Sequence, residues 1–215
     1  MQFLITAGPT REPLDPVRYL TNRSSGKMGY ALAAAAARAG HGVVLVSGPV
    51  RLPAPDAVRM IQVETAEQMR AAVAEQLPAA DIAIMAAAVA DYRPATTASQ
   101  KMKKGADRMM LELVRTPDIL GVARTALGFR GVLVGFAAET ENLAVNARKK
   151  LRSKGCDLVV ANDVSDASVG FDAEDNRVAL FFADGRELDL PKMPKPLLAE
   201  KLVGLALELV KGCTP

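Results

Sequence analysis

Short apolar runs alternate along this chain with longer segments that repeat at the helical period. The runs apolar enough to predict strands buried on both faces are residues 2–7, 43–47, 81–86, 131–136 and 158–161. Helices are predicted between them, over residues 26–39, 65–77, 116–127 and 141–154. This alternation predicts an α/β fold, a Rossmann-like three-layer sandwich in which helices cover both faces of a mostly parallel sheet.

The end of the chain breaks this alternation. Val178–Phe182 and Glu187–Leu190 have the pattern of two strands that four turn residues connect, which predicts a C-terminal β-hairpin. A final helix is expected over residues 194–210. The hairpin would add antiparallel strands to a sheet that is otherwise parallel.

The middle of the chain carries weaker signals. Residues 87–107 are predicted as a long polar loop, and residues 109–114 alternate like a strand. Thr116 is expected to cap the next helix, with Pro117 at its first position.

Composition and charge narrow the class of protein. At 215 residues, the chain fits one domain over residues 1–215. The net charge of +3 gives no concentrated basic stripe, so a nucleic-acid partner is not expected. No apolar run approaches the ~20 residues of a membrane span. Two cysteines without a framework favour the reducing cytoplasm, and a single histidine, His41, excludes a multi-histidine metal site.

Ligands of parallel sheets bind at the carboxyl ends of the strands, so the segments that follow strands carry the functional prediction. The segment after the first strand spans residues 8–25 and is too long for a simple strand–helix turn. It ends in Asn22, Arg23, two serines and Gly26 at a helix start. Free backbone amides at a helix N-terminus bind anions, so this segment predicts a phosphorylated or carboxylated ligand.

Two familiar nucleotide motifs are absent from these segments. No G-x-G-x-x-G follows the first strand, and no acidic residue ends the second strand, which disfavours a dinucleotide-dependent dehydrogenase. Ser25-Gly26-Lys27 resembles part of a P-loop, but Met28 stands where a magnesium-binding Ser or Thr is needed.

Other strand exits each allow two interpretations. Ala86–Ala88 would let a ligand approach the backbone closely, or would simply pack tightly against a helix. The lysines of residues 101–104 would neutralise phosphates as a mobile closing loop, or would form a solvated surface loop. Lys150 and Lys154 share one helix face and would serve a ligand or the helix dipole.

Taken together, these stretches resemble one family, phosphopantothenate–cysteine ligase, which forms the ligase unit of the bacterial bifunctional coenzyme A biosynthesis protein. The resemblance covers nearly the whole chain in order. The matching stretches are ITAGPTREPLDPVRYLTNRSSGKMG (5–29), LVSGP (45–49), AAAVADYRP (86–94), KMKK (101–104), TPDIL (116–120), VGFAAET (134–140), the helix with Lys150 and Lys154, and VANDV (160–164) with Gly170 and Phe171 following.

The resemblance implies a reaction and its co-substrates. A ligase of this type joins 4′-phosphopantothenate to L-cysteine through an acyl-cytidylate, using CTP and Mg²⁺ and releasing CMP and pyrophosphate. It also implies a cytoplasmic homodimer, with the 178–190 hairpin or the 87–105 loop as the contact, and a flavin-dependent decarboxylase as a separate partner. A non-catalytic nucleotide-binding subunit is the alternative that turnover would exclude.

The resemblance also assigns site residues. Asn22 and Lys101 would be catalytic, and Arg18, Asn22 and Ala88 would bind phosphopantothenate. Asp91 is expected near the ribose or base, Phe136 is expected to pack against the base, and no side chain is assigned to the metal. The nucleotide site would comprise Met85, Ala86, Ala87, Asp91, Lys101, Pro117, Asp118, Ile119, Leu120, Phe136, Lys150 and Lys154.

Overall fold

The computed structural model describes residues 1–105, 107–163 and 173–212. Within these ranges the strands are β1 Gln2–Ala7, β2 Arg11–Pro13, β3 Tyr19–Thr21, β4 Gly42–Ser47, β5 Arg59–Gln62, β6 Ile82–Met85, β7 Tyr92–Pro94, β8 Leu113–Arg115, β9 Val132–Glu139, β10 Leu158–Asp163, β11 Asp175–Phe182 and β12 Glu187–Pro194. The α-helices are α1 Lys27–Arg38, α2 Ala66–Gln76, α3 Ile119–Thr125, α4 Leu143–Lys154 and α5 Lys195–Gly212.

The described residues form one eight-stranded sheet in the order β12-β11-β10-β9-β6-β1-β4-β5. The strands from β5 to β10 pair in parallel, whereas β11 and β12 pair antiparallel. The predicted mostly parallel sheet and C-terminal hairpin are therefore confirmed. β4 and β5 lie on one side of β1 in the sheet, whereas β6 and β9 lie on its other side. The strand order therefore reverses at β1, and folds of this kind bind ligands at such a switch point.

Helices cover both faces of the sheet, as the apolar strands require. α1 and α5 pack together over one face, around a core that includes Phe3, Leu32 and Leu202. α2, α3 and α4 cover the other face, around residues such as Met69 and Leu133. In the described ranges, no helix has both the length and the apolar character needed to cross a membrane.

The start of α1 lies unusually close to the end of β1. Gly26 precedes the helix with φ 77°, a left-handed conformation that favours glycine. A Cβ on Gly29 would lie 2.5 Å from the Cβ of Ala7, so a side chain there does not fit. Two glycines thus let the first turn of α1 rest on the carboxyl end of β1.

Two small hairpins lie outside the main sheet. β2 and β3 pair antiparallel within the long segment that follows β1, and β7 pairs with β8. The strand predicted over residues 109–114 is displaced to Leu113–Arg115, and its partner β7 lies inside the predicted 87–107 loop. The alternation of apolar and polar residues misplaced this strand, because the strand ends where its three-residue partner β7 ends.

The predicted cap of α3 is wrong. Asp118 is the N-cap, and its carboxylate accepts a hydrogen bond from the Gly121 amide at 2.9 Å. The Thr116 hydroxyl instead donates to the carbonyl of Ala90, across the chain. A tertiary partner for Thr116 therefore replaces the local one.

Substituting Gly29 tests the close approach of α1 to β1. We expect Gly29→Ala to lower the free energy of unfolding by about 1–3 kcal/mol, because the added methyl forces the helix from the strand. A Cβ on Gly204 in α5 would meet no atom within 4 Å, so Gly204→Ala should stabilise the protein by roughly 0.5–1 kcal/mol. Urea unfolding measures both variants; a Gly29→Ala protein as stable as the wild type would contradict the close packing.

Candidate functional site

A cleft of about 810 Å³ lies at the carboxyl ends of β1, β6, β9 and β10. The first turn of α1 forms one wall, with Gly26, Lys27, Met28 and Gly29 among its lining residues. The amides of this turn have no partner within their own helix, because the first amides of any helix lack a preceding carbonyl. The cleft therefore includes the helix start at which the sequence predicts an anion site.

Asn22 connects this wall to the segment that follows β6. Its Nδ2 donates to the carbonyl oxygens of Ala88 at 3.2 Å and Val89 at 3.0 Å. The amide is thereby oriented at the cleft surface, between the helix start and the alanine segment.

Two buried threonines, which the sequence analysis gave no role, hold the alanine segment against β1 and the residues that follow it. The Thr6 hydroxyl accepts from the Ala87 amide at 3.2 Å, and the Thr10 hydroxyl accepts from the Ala90 amide at 3.0 Å. The Ala88 amide donates to the carbonyl of Gly8 at 2.9 Å. Small side chains at residues 86–88 therefore leave a fixed backbone exposed to the cleft.

The wall formed by α3 and α4 carries charged and aromatic groups. Lys150 donates from Nζ to the carbonyl of Phe136 at 2.6 Å, and Lys154 forms an ion pair with Asp118. Burial lowers the pKa of Lys150. Burial acts to raise the pKa of Asp118, but the hydrogen bonds from Lys154 and from the Gly121 amide lower it overall. Both lysines are thus fixed at the cleft edge.

The opposite layer supplies a second polar corner that was not assigned from the sequence. Lys27 pairs with Glu174 at 2.5 Å, and Lys195 donates from Nζ to the carbonyl of Ala173. The buried side chains of Asn162 and Asn176 line the same end of the cleft. The antiparallel pairing of β10 with β11 brings Asn162 close to Asn176, and a single sequence does not reveal that pairing.

The structure places most of the predicted site residues on this one cleft. Those that line it are Asn22, Met85, Ala86, Ala87, Ala88, Asp91, Pro117, Asp118, Ile119, Leu120, Phe136, Lys150 and Lys154.

Arg18 and Lys101 are not among the lining residues. The Arg18 guanidinium binds Asp15 and the carbonyl of Met102, at the far end of the β2–β3 hairpin. Residues 164–172, which include Gly170 and Phe171, lie outside the described residues, as does Cys213.

Cys156 and His41, side chains of the types that often act as a nucleophile or a general base, do not line the cleft. Burial raises the pKa of the Cys156 thiol to about 12, which keeps it protonated. His41 is half-buried and packs against Phe3 with ring centroids 5.4 Å apart. Among the described residues, no group of three or more His, Cys, Asp and Glu side chains could hold a metal. Such a site suits reactions between anionic substrates that carry their own intermediate.

Comparison with known proteins gives consistent similarities. Residues 1–209 match the family model described as "DNA/pantothenate metabolism flavoprotein C-terminal domain". The chain is 50% identical over 206 residues to the coenzyme A biosynthesis bifunctional protein CoaBC of Escherichia coli K12, covering 94% of this chain and 50% of that protein. It is 52% identical over 196 residues to CoaBC of Bacillus subtilis, covering 89% and 47%.

A solved structure is similar over nearly the whole fold. The crystal structure of the C-terminal domain of CoaBC aligns with a TM-score of 0.81 at 41% identity, covering 97% of this chain and 95% of that one. The chain spans about half the length of the CoaBC proteins it matches. With its α/β sheet, its cleft and this match over residues 1–209, the chain belongs to the family of the DNA/pantothenate metabolism flavoprotein C-terminal domain.

Proposed function

We propose that this chain is a phosphopantothenate–cysteine ligase that uses CTP. The carboxylate of 4′-phosphopantothenate attacks the α-phosphorus of CTP, and the bond to pyrophosphate breaks. The amine of L-cysteine then attacks the acyl carbon of the acyl-cytidylate, CMP leaves, and the amine proton passes to solvent. The observation that carries this proposal is a single cleft that combines cations, helix amides and an oriented amide side chain.

The charges of the cleft suit this chemistry. A carboxylate must approach a triphosphate, so several negative charges converge and repel one another. Lys150 and Lys154 approach the cleft from one helical layer, and Lys27 and Lys195 approach it from the other. Cations placed on both sides offset the repulsion and stabilise the charge that develops at the transferred phosphorus.

Magnesium fits the proposal as part of the nucleotide. Mg²⁺ prefers oxygen ligands and is commonly held by substrate phosphates with few protein ligands. Asp118 already pairs with Lys154, and Asp91 is the other carboxylate that lines the cleft. We therefore expect Mg²⁺ to enter with CTP, bound to its phosphates.

The relatives named bifunctional are about twice as long as this chain. Together with the family resemblance, this leads us to expect that a flavin-dependent decarboxylase takes the product phosphopantothenoylcysteine as its substrate.

Replacing Asn22 tests its role after nucleotide binding. Asn22 bridges the helix start and the alanine segment, where the acyl group would lie. We expect Asn22→Ala to keep its affinity for CTP but to lose product formation by about 10²-fold or more, because one oriented donor is typically worth that much. Calorimetric CTP binding and product formation measured by mass spectrometry separate the two effects.

Gln76→Ala is the control. The Gln76 side chain lies at the C-terminal end of α2, is not among the residues that line the cleft, and accepts a hydrogen bond from Arg59. Its turnover should match the wild type. An Asn22→Ala protein with wild-type turnover would remove Asn22 from the mechanism.

The nucleotide base provides a second prediction. The backbone of residues 136–138 and the small side chains of residues 86–88 line the cleft, or lie directly beside it, with fixed donors and acceptors. A site that pairs with one base rejects another whose groups leave its own polar atoms unpaired. We therefore expect a higher kcat/KM for CTP than for ATP, UTP or GTP at fixed Mg²⁺. An equal or higher value for ATP would contradict the preference while leaving the ligase proposal intact.

We also propose that the chain forms a homodimer through its two small hairpins. β2 and β7 lie next to each other, and Val17, Tyr19, Tyr92 and Leu113 expose 42–59% of their surface there. Exposed apolar side chains on neighbouring short strands are typical of an association surface. The 87–105 region therefore fits the contact better than the 178–190 hairpin does.

Sedimentation tests the dimer and its surface. The wild type should sediment at twice the chain mass of 22.7 kDa, and Tyr92→Asp should shift it toward the monomer by burying an unpaired charge. Leu188→Asp in the C-terminal hairpin is the control, because Leu188 is similarly exposed at 45%. A dimer lost with Leu188→Asp and kept with Tyr92→Asp would place the interface on the other hairpin.

A further inference from the structure

A buried carboxylate lies in the turn that connects β2 to β3. The side chain of Asp15 is fully buried, although it stands in a surface hairpin. It accepts hydrogen bonds from the amides of Val17 and Arg18, each at 2.8 Å. The Arg18 guanidinium completes the arrangement, with Nε at 3.0 Å and Nη2 at 2.5 Å from Oδ2.

The same pair binds the segment that carries the lysines. The Met102 amide donates to Asp15 Oδ2 at 3.1 Å, and the Met102 carbonyl accepts from Arg18 Nη2 at 2.6 Å. Both backbone groups of Met102 are therefore held by one ion pair, 84 and 87 positions away in sequence.

Lys101 lies inside the tethered part of this segment. The Ala98 amide donates to the carbonyl of Leu14 at 2.9 Å, so residues on both sides of Lys101 bind the same turn. Beyond Met102 the pattern stops: the described residues from Lys103 to Leu111 form no hydrogen bond with any other described residue. Met102 is thus the last fixed point before a stretch that includes Lys103 and Lys104.

We propose that Asp15 is a positioning residue of the ligase reaction, which fixes the backbone at Met102 and thereby sets where the Lys101 ammonium can act. The proposal rests on the proposed function, and it also needs Lys101, which does not line the cleft in this structure, to reach the nucleotide phosphates from its anchored position. It divides the lysine segment into a part that is tethered on both sides of Lys101 and a following part, with Lys103 and Lys104, that has no such tether among the described residues.

The electrostatics of the turn agree with this role. Burial acts to raise the pKa of Asp15, but the hydrogen bonds from Arg18 and from three backbone amides hold it well below its usual range. Asp15 is therefore an anion across the working pH range, and it binds Met102 with a charge-assisted hydrogen bond. The Arg18 side chain keeps 44% of its surface exposed, so it still presents charge to an anion while it holds Met102.

The fixed position of the Met102 backbone matters because a cation that stabilises a transferred phosphoryl group must be placed accurately. A displacement of about 1 Å at a group that positions the reaction costs on the order of 10²-fold in rate. A lysine on an untethered loop would also lose rotamer and backbone freedom on each closure. Asp15 removes part of that cost before the substrates arrive.

The test is a double-mutant cycle between Asp15 and Lys101. Asp15→Asn keeps the shape of the side chain and removes its charge, and we expect it to lower kcat by on the order of 10²-fold. The KM for cysteine should stay unchanged, because the amine substrate does not meet Lys101. Asp15→Asn combined with Lys101→Gln should be no slower than Lys101→Gln alone. Equal fold-losses in both backgrounds would overturn the proposal.

Glu12→Gln is the matched control. Glu12 is a buried carboxylate of the same hairpin, but it accepts from the Ala66 amide at 2.8 Å and so supports α2 instead of the lysine segment. Glu12→Gln should lower the melting temperature. It should change turnover by the same factor in the wild-type background and in the Lys101→Gln background. If Asp15→Asn does not fold, Met102→Pro removes the amide donor itself and takes the place of Asp15→Asn in the cycle.

Hydrogen exchange separates this proposal from the ligase assignment. The Met102 amide should be protected in the wild type without substrates and should exchange much faster in Asp15→Asn. Unchanged exchange would overturn the anchor whatever the enzyme catalyses. Conversely, a wild type that makes no product with any nucleoside triphosphate would contradict the proposed function while leaving the anchor to be judged by exchange alone.

Discussion

The close packing of the first turn of α1 on the end of β1 is the constraint on which the rest of the site depends. Because Gly29 has no side chain, the helix start rests on Ala7, and the residues of its first turn line the cleft. The same strand end holds the alanine segment through Thr6 and the carbonyl of Gly8. The amides and the exposed backbone are therefore built into the fold and need no rearrangement when an anion binds.

This rigid centre is flanked by charges from separate layers. Lys150 and Lys154 come from α4 on one face of the sheet, whereas Lys27 and Lys195 start α1 and α5 on the other. Each has a partner that limits its freedom, including the Phe136 carbonyl, Asp118 and Glu174. Ion pairs of this kind contribute little stability at a surface, but they orient a cation at modest cost.

The sequence was sufficient for the architecture because buried parallel strands and amphipathic helices have strong, local signals. It also located the helix-start site, since Asn22 to Gly26 carry polar groups to a helix start in one continuous stretch. It failed where a short element depends on a distant partner. β8 is fixed by β7, and Thr116 binds Ala90, so period and capping rules misplaced the strand and the cap. Asn176, Lys195 and the Asp15–Met102 contact depend on pairing between distant segments, which one sequence does not report.

The most direct test of the central claim follows the oxygen of the substrate carboxylate. The proposed ligase should be given 4′-phosphopantothenate labelled with ¹⁸O in its carboxylate, together with CTP, Mg²⁺ and L-cysteine, and the products should be analysed by mass spectrometry. An acyl-cytidylate intermediate predicts that one ¹⁸O appears in CMP and none in the released pyrophosphate. Label found in inorganic phosphate, with CDP as the nucleotide product, would show an acyl phosphate instead and contradict the account.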